Sequence, residues 1–379
     1  MTIEQQLARL KARRTGSDRS AQVAMDQQFE IIAKVLAGED YERRQVGKPH
    51  TRYALGAMAE VDATYTRISL ETADRVKAQL ERRLPPHDLT VEFRLQGSVP
   101  LNVHIRGVSD VDLLVIATRS LMADMQGVRA QQGWYLQQPA ASVVDLLSSL
   151  RRHSEDELVL AYPAADVDRT SPKAIKLSGG SLARPVDVVP AVWWDTAAYQ
   201  LSGNETDRGV AIYHKTDRRT IENLPFLHIH RIAERDQQAY GGLRKAIRLC
   251  KNIKADAEED GRAIALSSYD IAGILYHADL TALRAGAVNE LAILAEAQRH
   301  FDWCYSHQSV SKLYRTPDGS RSVLDNQERI DGLLTLSIKL DDLVKEVARE
   351  QGLAFRVAGT PSFDDARRVL SEMALNDVH

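Results

Sequence analysis

The chain has 379 residues, 44% of them hydrophobic and 27% charged, and a formal net charge of −3 at pH 7. This composition is typical of a well-packed globular protein large enough for two domains, and it excludes an intrinsically disordered chain. A charge this close to neutral argues against a protein that coats nucleic acid non-specifically, although it allows a local basic groove.

Cysteine usage and hydropathy indicate the compartment. Cys250 and Cys304 lie far apart, and no secretory segment precedes them. This pattern is typical of a reducing compartment without disulfides, so we expect a cytoplasmic protein. No run approaches the roughly 18 uninterrupted apolar residues that a membrane-spanning helix needs, so we expect no membrane insertion.

Two helices are predicted near the N-terminus, over residues 3–14 and 22–37, from their apolar periodicity. The segment at residues 47–51 resembles a phosphate-binding loop only superficially, because Pro49 removes an amide donor and the required first glycine is missing. We interpret it as a linker that separates an N-terminal helical extension, residues 1–50, from the core.

The core is predicted to begin with a helix from Ser69, whose hydroxyl can cap it, to Leu84, where Pro85 and Pro86 stop it. Apolar residues then alternate with polar ones over Val91 to Leu95. This period of two predicts a strand that runs into a glycine turn.

Two acidic residues, Asp110 and Asp112, accompany an apolar run from Val111 to Ile116. Side chains two apart on a strand point the same way, and no Lys or Arg within that run offsets their burial. A divalent cation is the simplest partner. Asp187, on a second apolar segment, completes a three-carboxylate site if the two strands are neighbours. Oxygen ligands of this kind favour Mg²⁺ or Mn²⁺, commonly as two ions.

A turn at Gly97 and Ser98 fits the binding of phosphate, because glycine lets the backbone approach closely and the hydroxyl can donate. A second Asp-x-Asp, at residues 166–168, has no flanking apolar run, so we interpret it as a loop. Residues 174–189 contain turn glycines between apolar segments and are predicted to form a hairpin that delivers Asp187.

Residues 121–160 and most of the chain after about residue 215 have helical periodicity. Within the second region, Gly242 to Lys254 places Arg244, Arg248 and Lys251 on one face and apolar residues on the other. Spacing alone fits an ordinary amphipathic helix equally well.

The Gln96-Gly97-Ser98 turn, the Asp-x-Asp strand and the later Asp187 together resemble the DNA polymerase beta superfamily of nucleotidyltransferases. Within it, the likeness is to the oligoadenylate synthase and cyclic-GMP-AMP-synthase-like branch of bacterial antiviral signalling enzymes, over about residues 55–280. The resemblance implies an α+β, bilobal fold, with a mixed-sheet catalytic core at residues 51–200 and a helical C-terminal lobe at residues 201–379. One departure is that an aromatic residue and Gly-Thr often follow the turn, whereas this chain has Val99-Pro100-Leu101.

The resemblance also implies roles for individual residues. The three aspartates are the expected catalytic residues and metal ligands, with Asp187 deprotonating the acceptor hydroxyl. Arg248-x-x-Lys251 is similar to the family's Arg-x-x-Lys helix, whose lysine contacts the triphosphate. Ser268 and Tyr269 resemble a Ser-Tyr pair that binds phosphate and stacks on the base, although Tyr269 fits a core position equally well. The expected site is Asp110, Asp112 and Asp187 with Gly97, Ser98, Lys251, Ser268 and Tyr269.

We therefore expect a template-independent, metal-dependent nucleotidyltransferase that joins NTPs or dNTPs into a cyclic or short linear oligonucleotide signal for a downstream effector, with release of pyrophosphate. Two alternatives stay open: a toxin-type enzyme that adds nucleotides to tRNA ends or to a protein, and an inactive nucleotide-binding sensor. Zinc is not expected, because His228 with His230, and Cys304 with His307, supply only two ligands each.

Overall fold

The computed structural model describes residues 2–16, 37–107, 109–136, 142–353 and 361–372. Its centre is one mixed sheet in which the strand order is β1-β2-β5-β4-β3, while β6 pairs with the far part of β5 and with β7. Only the β2–β5 pair is parallel among these pairs. The strands are β1 (Val91–Gln96), β2 (Val111–Ala123), β3 (Asp166–Asp168), β4 (Ile175–Ser178), β5 (Val186–Asp195), β6 (Gly209–His214) and β7 (Arg219–Asn223).

The remaining regular structure of the described residues is helical, apart from two 3₁₀ turns at Pro85–His87 and Glu205–Asp207. The helices are α1 (Ile3–Thr15), α2 (Asp40–Arg43), α3 (Pro49–Met58), α4 (Ala63–Arg83), α5 (Val128–Gln131), α6 (Val143–Ala161), α7 (Ala197–Ser202), α8 (Pro225–Gln238), α9 (Gly242–Glu259), α10 (Ser268–Tyr276), α11 (Leu280–Ala285), α12 (Leu291–Ser306), α13 (Gln308–Ser311), α14 (Gln327–Glu350) and α15 (Phe363–Glu372). No described helix has the length and apolar character of a membrane span.

The two faces of the sheet bury different helices. Leu113, Val115 and Ala117 of β2 pack on the face covered by α4 and α6. The alternate residues Leu114 and Ile116 pack on the opposite face, against Phe226 of α8 among others. Since side chains on a strand alternate between faces, Asp112 lies on the α8 side of the sheet.

A separate and larger core holds the helical part of the molecule together. It joins residues of α9, α10, α12, α14 and α15 to Leu10 of α1 and to Tyr53 and neighbouring residues of α3. The first helix therefore packs with the C-terminal helices rather than with the sheet. The division into units at residues 50 and 200 stays a prediction, but this shared core shows where any N-terminal unit is anchored.

Several predicted elements are confirmed. Helix α1, the strand leading into Gly97, the hairpin that delivers Asp187 and the amphipathic helix from Gly242 all form. Nearly all of the predicted helix over residues 22–37 lies outside the described residues.

Four local predictions were wrong in part or whole. Residues 49–51 are not linker, because helix α3 begins at Pro49, whose missing amide is tolerated at a helix start. Helix α4 begins six residues before Ser69, capped by Asp62, and the Ser69 hydroxyl instead donates to the carbonyl of Tyr65. The region 121–160 is not helical from its start, because β2 continues to Ala123. Residues 166–168 form β3 rather than a loop, since an edge strand needs only one pairing neighbour and no apolar run.

The pairing of β2 with β5 keeps strict register from Val111 to Ala117 and then shifts before Leu121. An irregularity of this kind adds residues to one strand and bends it. It lies at the far end of β2 from Asp112. The acidic end of the strand pair is therefore regular.

Arg248 of α9 connects the helical core to the segment beside the sheet. Its side chain is 1% exposed. Nε donates to the carbonyl of Met58 at 2.8 Å and Nη1 to the carbonyl of Asn102 at 2.7 Å. Arg248 is therefore a buried connecting residue rather than a cation presented on an open face.

We expect Arg248→Met to lower the free energy of unfolding by about 2–4 kcal/mol, because two carbonyls lose a charged donor in a buried place. The control is Arg349→Met, which removes an exposed pair with Glu346 and should cost less than about 1 kcal/mol. Urea unfolding of both variants measures the difference. Equal costs would contradict a connecting role for Arg248.

Candidate active site

The parallel pairing of β2 and β5 places Asp112 directly opposite Asp187. The row continues across the sheet, with Gln96 opposite Asp112 on one side and Lys176 opposite Asp187 on the other. Residues paired in this way point to the same face of a sheet. The two strands are thus neighbours, which is the condition that a three-carboxylate cluster requires, and Asp110 lies two positions before Asp112.

The electrostatics of the row show how closely the carboxyl groups interact. Burial, and then the charges of Asp187 and Asp110, raise the pKa of Asp112 to about 7. Burial also raises the pKa of Asp187 to about 6, against the opposing effect of Lys176, whose Nζ lies 3.7 Å from an Asp187 oxygen. Adjacent, partly buried carboxylates of this kind disfavour their own ionisation and favour a cation between them.

The chemistry of the donor set fits a hard divalent ion. Asp112 and Asp187 lie on adjacent strands and Asp110 directly precedes β2, and the open cavities beside them leave room for phosphate or water oxygens as further ligands. Among the described residues, no three His, Cys, Asp or Glu side chains are already arranged around a common point as metal ligands. Asp110, Asp112 and Asp187 are the residues that could hold one.

Gly97 lies against Asp112 in a way that only glycine allows. Its φ is +78°, in the left-handed region, and a Cβ built on it would collide with Oδ2 of Asp112. The turn can therefore come within contact distance of a carboxylate. Ser98 follows in the same turn, and its carbonyl accepts a hydrogen bond from the amide of Val103.

Every residue predicted for the site borders one cavity of about 380 Å³, which we call the first cavity. It lies between the ends of β2 and β5 that carry the aspartates and helices α8, α9 and α10. Its volume is within the range usual for small-molecule sites. Among its lining residues are Gly97, Ser98, Asp110, Asp112, Asp187, Lys251, Ser268 and Tyr269.

Lys251 projects from α9 to the wall of this cavity and is 4% exposed. Its Nζ donates to the carbonyl of Val103 at 2.8 Å and to Oγ of Ser109 at 3.2 Å. Burial lowers its pKa to about 7, and the nearby Asp112 opposes that shift. A buried ammonium with this environment is a strong candidate to bind an anion.

The Ser-Tyr pair lies at the start of α10, but Ser267, the residue before it, caps the helix. Ser268 is exposed at the first helical position, where amides favour anions. The ring of Tyr269 is stacked on His228, with centroids 4.2 Å apart. Tyr269 is therefore neither a simple core residue nor a ring with both faces open.

His228 was missed as a contributor to this site. It is 5% exposed, lines the first cavity, and burial lowers its pKa to about 4, so it is neutral at pH 7. His230, which shares its sequence motif, instead pairs with Glu234 on the surface. Nothing in the sequence distinguishes the two, because only the packing of α8 on α10 brings His228 to Tyr269.

A second cavity, of about 700 Å³, lies on the other side of the carboxylates and shares Asp110 and Asp187 with the first. No local sequence pattern indicates this cavity, since its residues come from separate parts of the chain. They include Tyr65 of α4, Arg106 before β2, Lys176 of β4, and Gly179, Gly180 and Arg184 of the loop that leads into β5.

No family model matches the chain. Individual proteins do. The chain is 41% identical over 355 residues to the cyclic dinucleotide synthase CdnE of Yersinia aleksiciae, covering 91% of this chain and 92% of that protein. It is 37% identical over 244 residues to a c-di-GMP synthase of Capnocytophaga granulosa, covering 60% and 67% respectively.

The fold has solved counterparts. A STING-associated CdnE c-di-GMP synthase from Capnocytophaga granulosa superposes with a TM-score of 0.70 at 27% identity, covering 92% of this chain and 99% of that one. The bilobal arrangement of a mixed sheet and a helical lobe, typical of polymerase-beta-like nucleotidyltransferases, is thereby confirmed.

We expect Gly97→Ala to lower the free energy of unfolding by about 2–4 kcal/mol, because the new methyl group combines backbone strain with overpacking against Asp112. Gly179→Ala is the matched control: its φ is +71°, and nothing lies within 4 Å of a Cβ there. The control should cost about 1 kcal/mol, from strain alone. Chemical denaturation measures both, and equal losses would show that the Asp112 contact is unimportant.

When a chelator keeps metal ions away, we expect Asp112→Asn to raise the free energy of unfolding at pH 8 above that of the wild type. A carboxyl group whose pKa is raised on folding holds more protons in the folded state, so wild-type stability falls as pH rises from about 4 to about 7. The neutral amide removes that penalty. We expect a gain of up to about 4 kcal/mol at pH 8, at roughly 1.4 kcal/mol for each unit by which the pKa is raised, shrinking towards zero near pH 4.

The control for this prediction is Asp168→Asn. Hydrogen bonds from Thr170 lower the pKa of Asp168, so neutralising it should bring no gain in stability. Urea titrations at the two pH values separate the cases. A less stable Asp112→Asn at pH 8 would contradict the repulsion inferred among the carboxylates.

Proposed function

The chain belongs to the family of CdnE cyclic dinucleotide synthases, and we propose that it joins two nucleoside triphosphates into a cyclic dinucleotide at Asp110, Asp112 and Asp187. As a member of that family it is a nucleotidyltransferase that produces a cyclic oligonucleotide signal. The in-register pairing of Asp112 with Asp187 supports the assignment of the site. Two partly buried carboxylates opposite each other, beside a glycine turn, are suited to metal-assisted phosphoryl transfer.

The proposed cofactor is Mg²⁺ or Mn²⁺, as two ions held by the three aspartates. When bound, such ions supply the positive charge that activates an attacking hydroxyl and stabilises the departing pyrophosphate. Asp187 borders both cavities, as does Asp110, whereas Asp112 borders only the first. Asp110 and Asp187 can thus both be reached by a hydroxyl that arrives from the second cavity, and of the two we assign the proton acceptor to Asp187, as the family resemblance implies.

We assign the first cavity to the donor nucleotide. The turn at Gly97 and Ser98 faces Lys251 and the N-terminus of α10 across this cavity, so donors of hydrogen bonds converge on a triphosphate from several sides. Ser268 contributes its hydroxyl or amide there. Tyr269, which lines the same cavity with its ring stacked on His228, is proposed to contact the base.

Each bond of the product forms when a ribose hydroxyl oxygen of one nucleotide attacks the α-phosphorus of the other. The bond from that phosphorus to the pyrophosphate oxygen breaks, and the hydroxyl proton passes to Asp187. A cyclic dinucleotide needs this step twice, and each nucleotide is donor once. A site with two cavities that share Asp110 and Asp187 accommodates both substrates of one such step.

The product is proposed to be a guanine-containing cyclic dinucleotide, because several relatives are named c-di-GMP synthases. Its partner would be an effector that binds the released nucleotide, as in antiphage signalling. Transfer to tRNA or to a protein is retained only as an outcome of the test below.

We expect purified protein with Mg²⁺ or Mn²⁺ to convert labelled GTP, alone or with another NTP, into a small phosphatase-resistant species. Asp187→Asn should reduce the amount of this product by about 10³-fold or more, because an amide binds the metal ions less tightly than a carboxylate and cannot accept the hydroxyl proton. Chromatography with mass spectrometry identifies the product.

Asp168→Asn is the matched control, since Asp168 lies on the same sheet, two strands from Asp187 and outside both cavities. It should retain nearly full activity. A ladder of products would indicate linear oligomers, and label that migrates with added tRNA or protein would overturn the proposed function. Unaltered turnover by Asp187→Asn would refute the role given to that residue.

A further inference from the structure

A hairpin at residues 314–323, which we call the support hairpin, lies behind Tyr269 and contributes no residue to the lining of the first cavity. We infer that the support hairpin positions the ring of Tyr269 for the base of the donor nucleotide, with Asp318 holding the phenol hydroxyl and Arg321 lying over the ring. The inference rests on the proposed function, because it requires a donor nucleotide in the first cavity.

The support hairpin connects α13 to α14 and is closed by its own backbone hydrogen bonds. Arg315 and Ser322 form an antiparallel bridge, and the amide of Val323 donates to the carbonyl of Tyr314 at 2.8 Å. Gly319, with a φ of +73°, makes the turn, where any other residue would be strained. A chain closed in this way holds the side chains near its turn in defined positions.

Asp318 lies in this turn and is 6% exposed. Its Oδ1 accepts a hydrogen bond from the hydroxyl of Thr316, and two more from the amide and the hydroxyl of Ser320 at 3.2 Å and 3.0 Å. The hydroxyl of Tyr269 donates to the same carboxylate. Against the effect of burial, these hydrogen bonds lower the pKa of Asp318. The carboxylate is therefore charged at pH 7, and a charged acceptor makes the stronger kind of hydrogen bond.

The phenol of Tyr269 is thereby committed to the support hairpin. Burial, and then the charge of Asp318, raise the pKa of the phenol, so the hydroxyl keeps its proton at any physiological pH. A tyrosine hydroxyl has one proton to donate, and Asp318 accepts it. Tyr269 therefore offers a nucleotide in the first cavity its ring and not the proton of its hydroxyl.

Arg321 connects the support hairpin to the start of α10. Its guanidinium carbon lies 5.4 Å from the centroid of the Tyr269 ring, within the range of a cation–π contact. Its Nη2 also donates to Oδ1 of Asp270. Asp270 is 2% exposed and forms the capping box of α10 with Ser267. One arginine thus contacts both the ring and the helical turn from which the ring projects.

The support hairpin also contacts α8, the helix that carries His228. Nη1 of Arg231, three residues after His228, donates to the carbonyl of Pro317 at 3.2 Å. The rings of His228 and Tyr269 are inclined by only 19° to each other, so their stack depends on how α8 and α10 are spaced. The same hairpin contacts both helices and therefore helps to set that spacing.

The test uses two analogues of the nucleotide that the wild type converts. An α,β-methylene triphosphate can accept but cannot donate, and a 2′,3′-dideoxy triphosphate can donate but cannot accept. Mixed together, they permit one bond, and the linear product is measured by mass spectrometry. Tyr269→Phe and Asp318→Ala should each raise the KM of the donor analogue about fivefold, and change kcat and the KM of the acceptor analogue less than about twofold.

A double-mutant cycle tests whether Asp318 acts through the hydroxyl of Tyr269. The variant with both substitutions should again raise the donor KM about fivefold, because each change removes the same hydrogen bond, whereas independent effects would multiply to about 25-fold. Arg321→Met, which removes the charge over the ring, should raise the donor KM about threefold, and it carries the test if Asp318→Ala does not fold. Asp331→Asn is the control, because Asp331 is exposed on α14 and pairs only locally with Gln327.

A ligand without a base separates positioning from a general loss of structure. Inorganic tripolyphosphate with Mg²⁺ competes for the contacts of the donor phosphates. Its inhibition constant should differ less than about twofold between the wild type and the variants of Asp318 and Arg321, because the proposed role concerns the base alone.

The outcomes separate the two levels of inference. If the wild type forms no dinucleotide under any condition, the proposed function itself fails. If the wild type is active but Asp318→Ala and Arg321→Met leave the donor KM unchanged, the support hairpin does not position Tyr269 for the base. Effects that multiply in the cycle, or a binding of tripolyphosphate that weakens as much as that of the donor, would overturn the positioning role equally.

Discussion

The structure around the site depends on one constraint, the electrostatic repulsion between the paired carboxylates of Asp112 and Asp187. The parallel register of β2 and β5 holds Asp112 opposite Asp187, and burial raises the pKa of both. The surrounding groups relieve this charge from different directions. Lys176 lies beside Asp187 on one side, and the buried ammonium of Lys251 lies on the other. A site built in this way gains most from cations, which is the basis for metal-assisted chemistry here.

Much of the candidate site could be predicted from the sequence because its signals are local. Asp110 and Asp112 share a face by strand alternation alone, and glycine beside serine marks a phosphate turn. The adjacency of Asp187 needed the family resemblance, since no local rule pairs strands 75 positions apart. Helix boundaries were less accurate. Ser69 can bond either a helix start or the carbonyl four residues earlier, and tertiary packing decided in favour of the latter.

The second cavity shows what a single sequence does not reveal. Tyr65, Arg106 and Arg184 each look ordinary in the sequence, and 119 positions separate the first from the last. Their stack exists only because α4, the segment before β2 and the loop before β5 meet at one corner of the sheet. His228 is similar, because its place in the site depends on its stack with Tyr269 of another helix. Residues that act through such distant contacts carry no periodicity or motif of their own.

The irregular register between Ala117 and Leu121 has a consequence for how such chains can diverge. A residue inserted between Asp112 and Ala117 would turn Asp112 to the opposite face of the sheet relative to the rest of the strand, since the side-chain period of a strand is two. Beyond Ala117 the pairing already absorbs extra residues. Length variation among descendants of this fold should therefore accumulate at the distal end of β2, leaving the acidic end invariant in length.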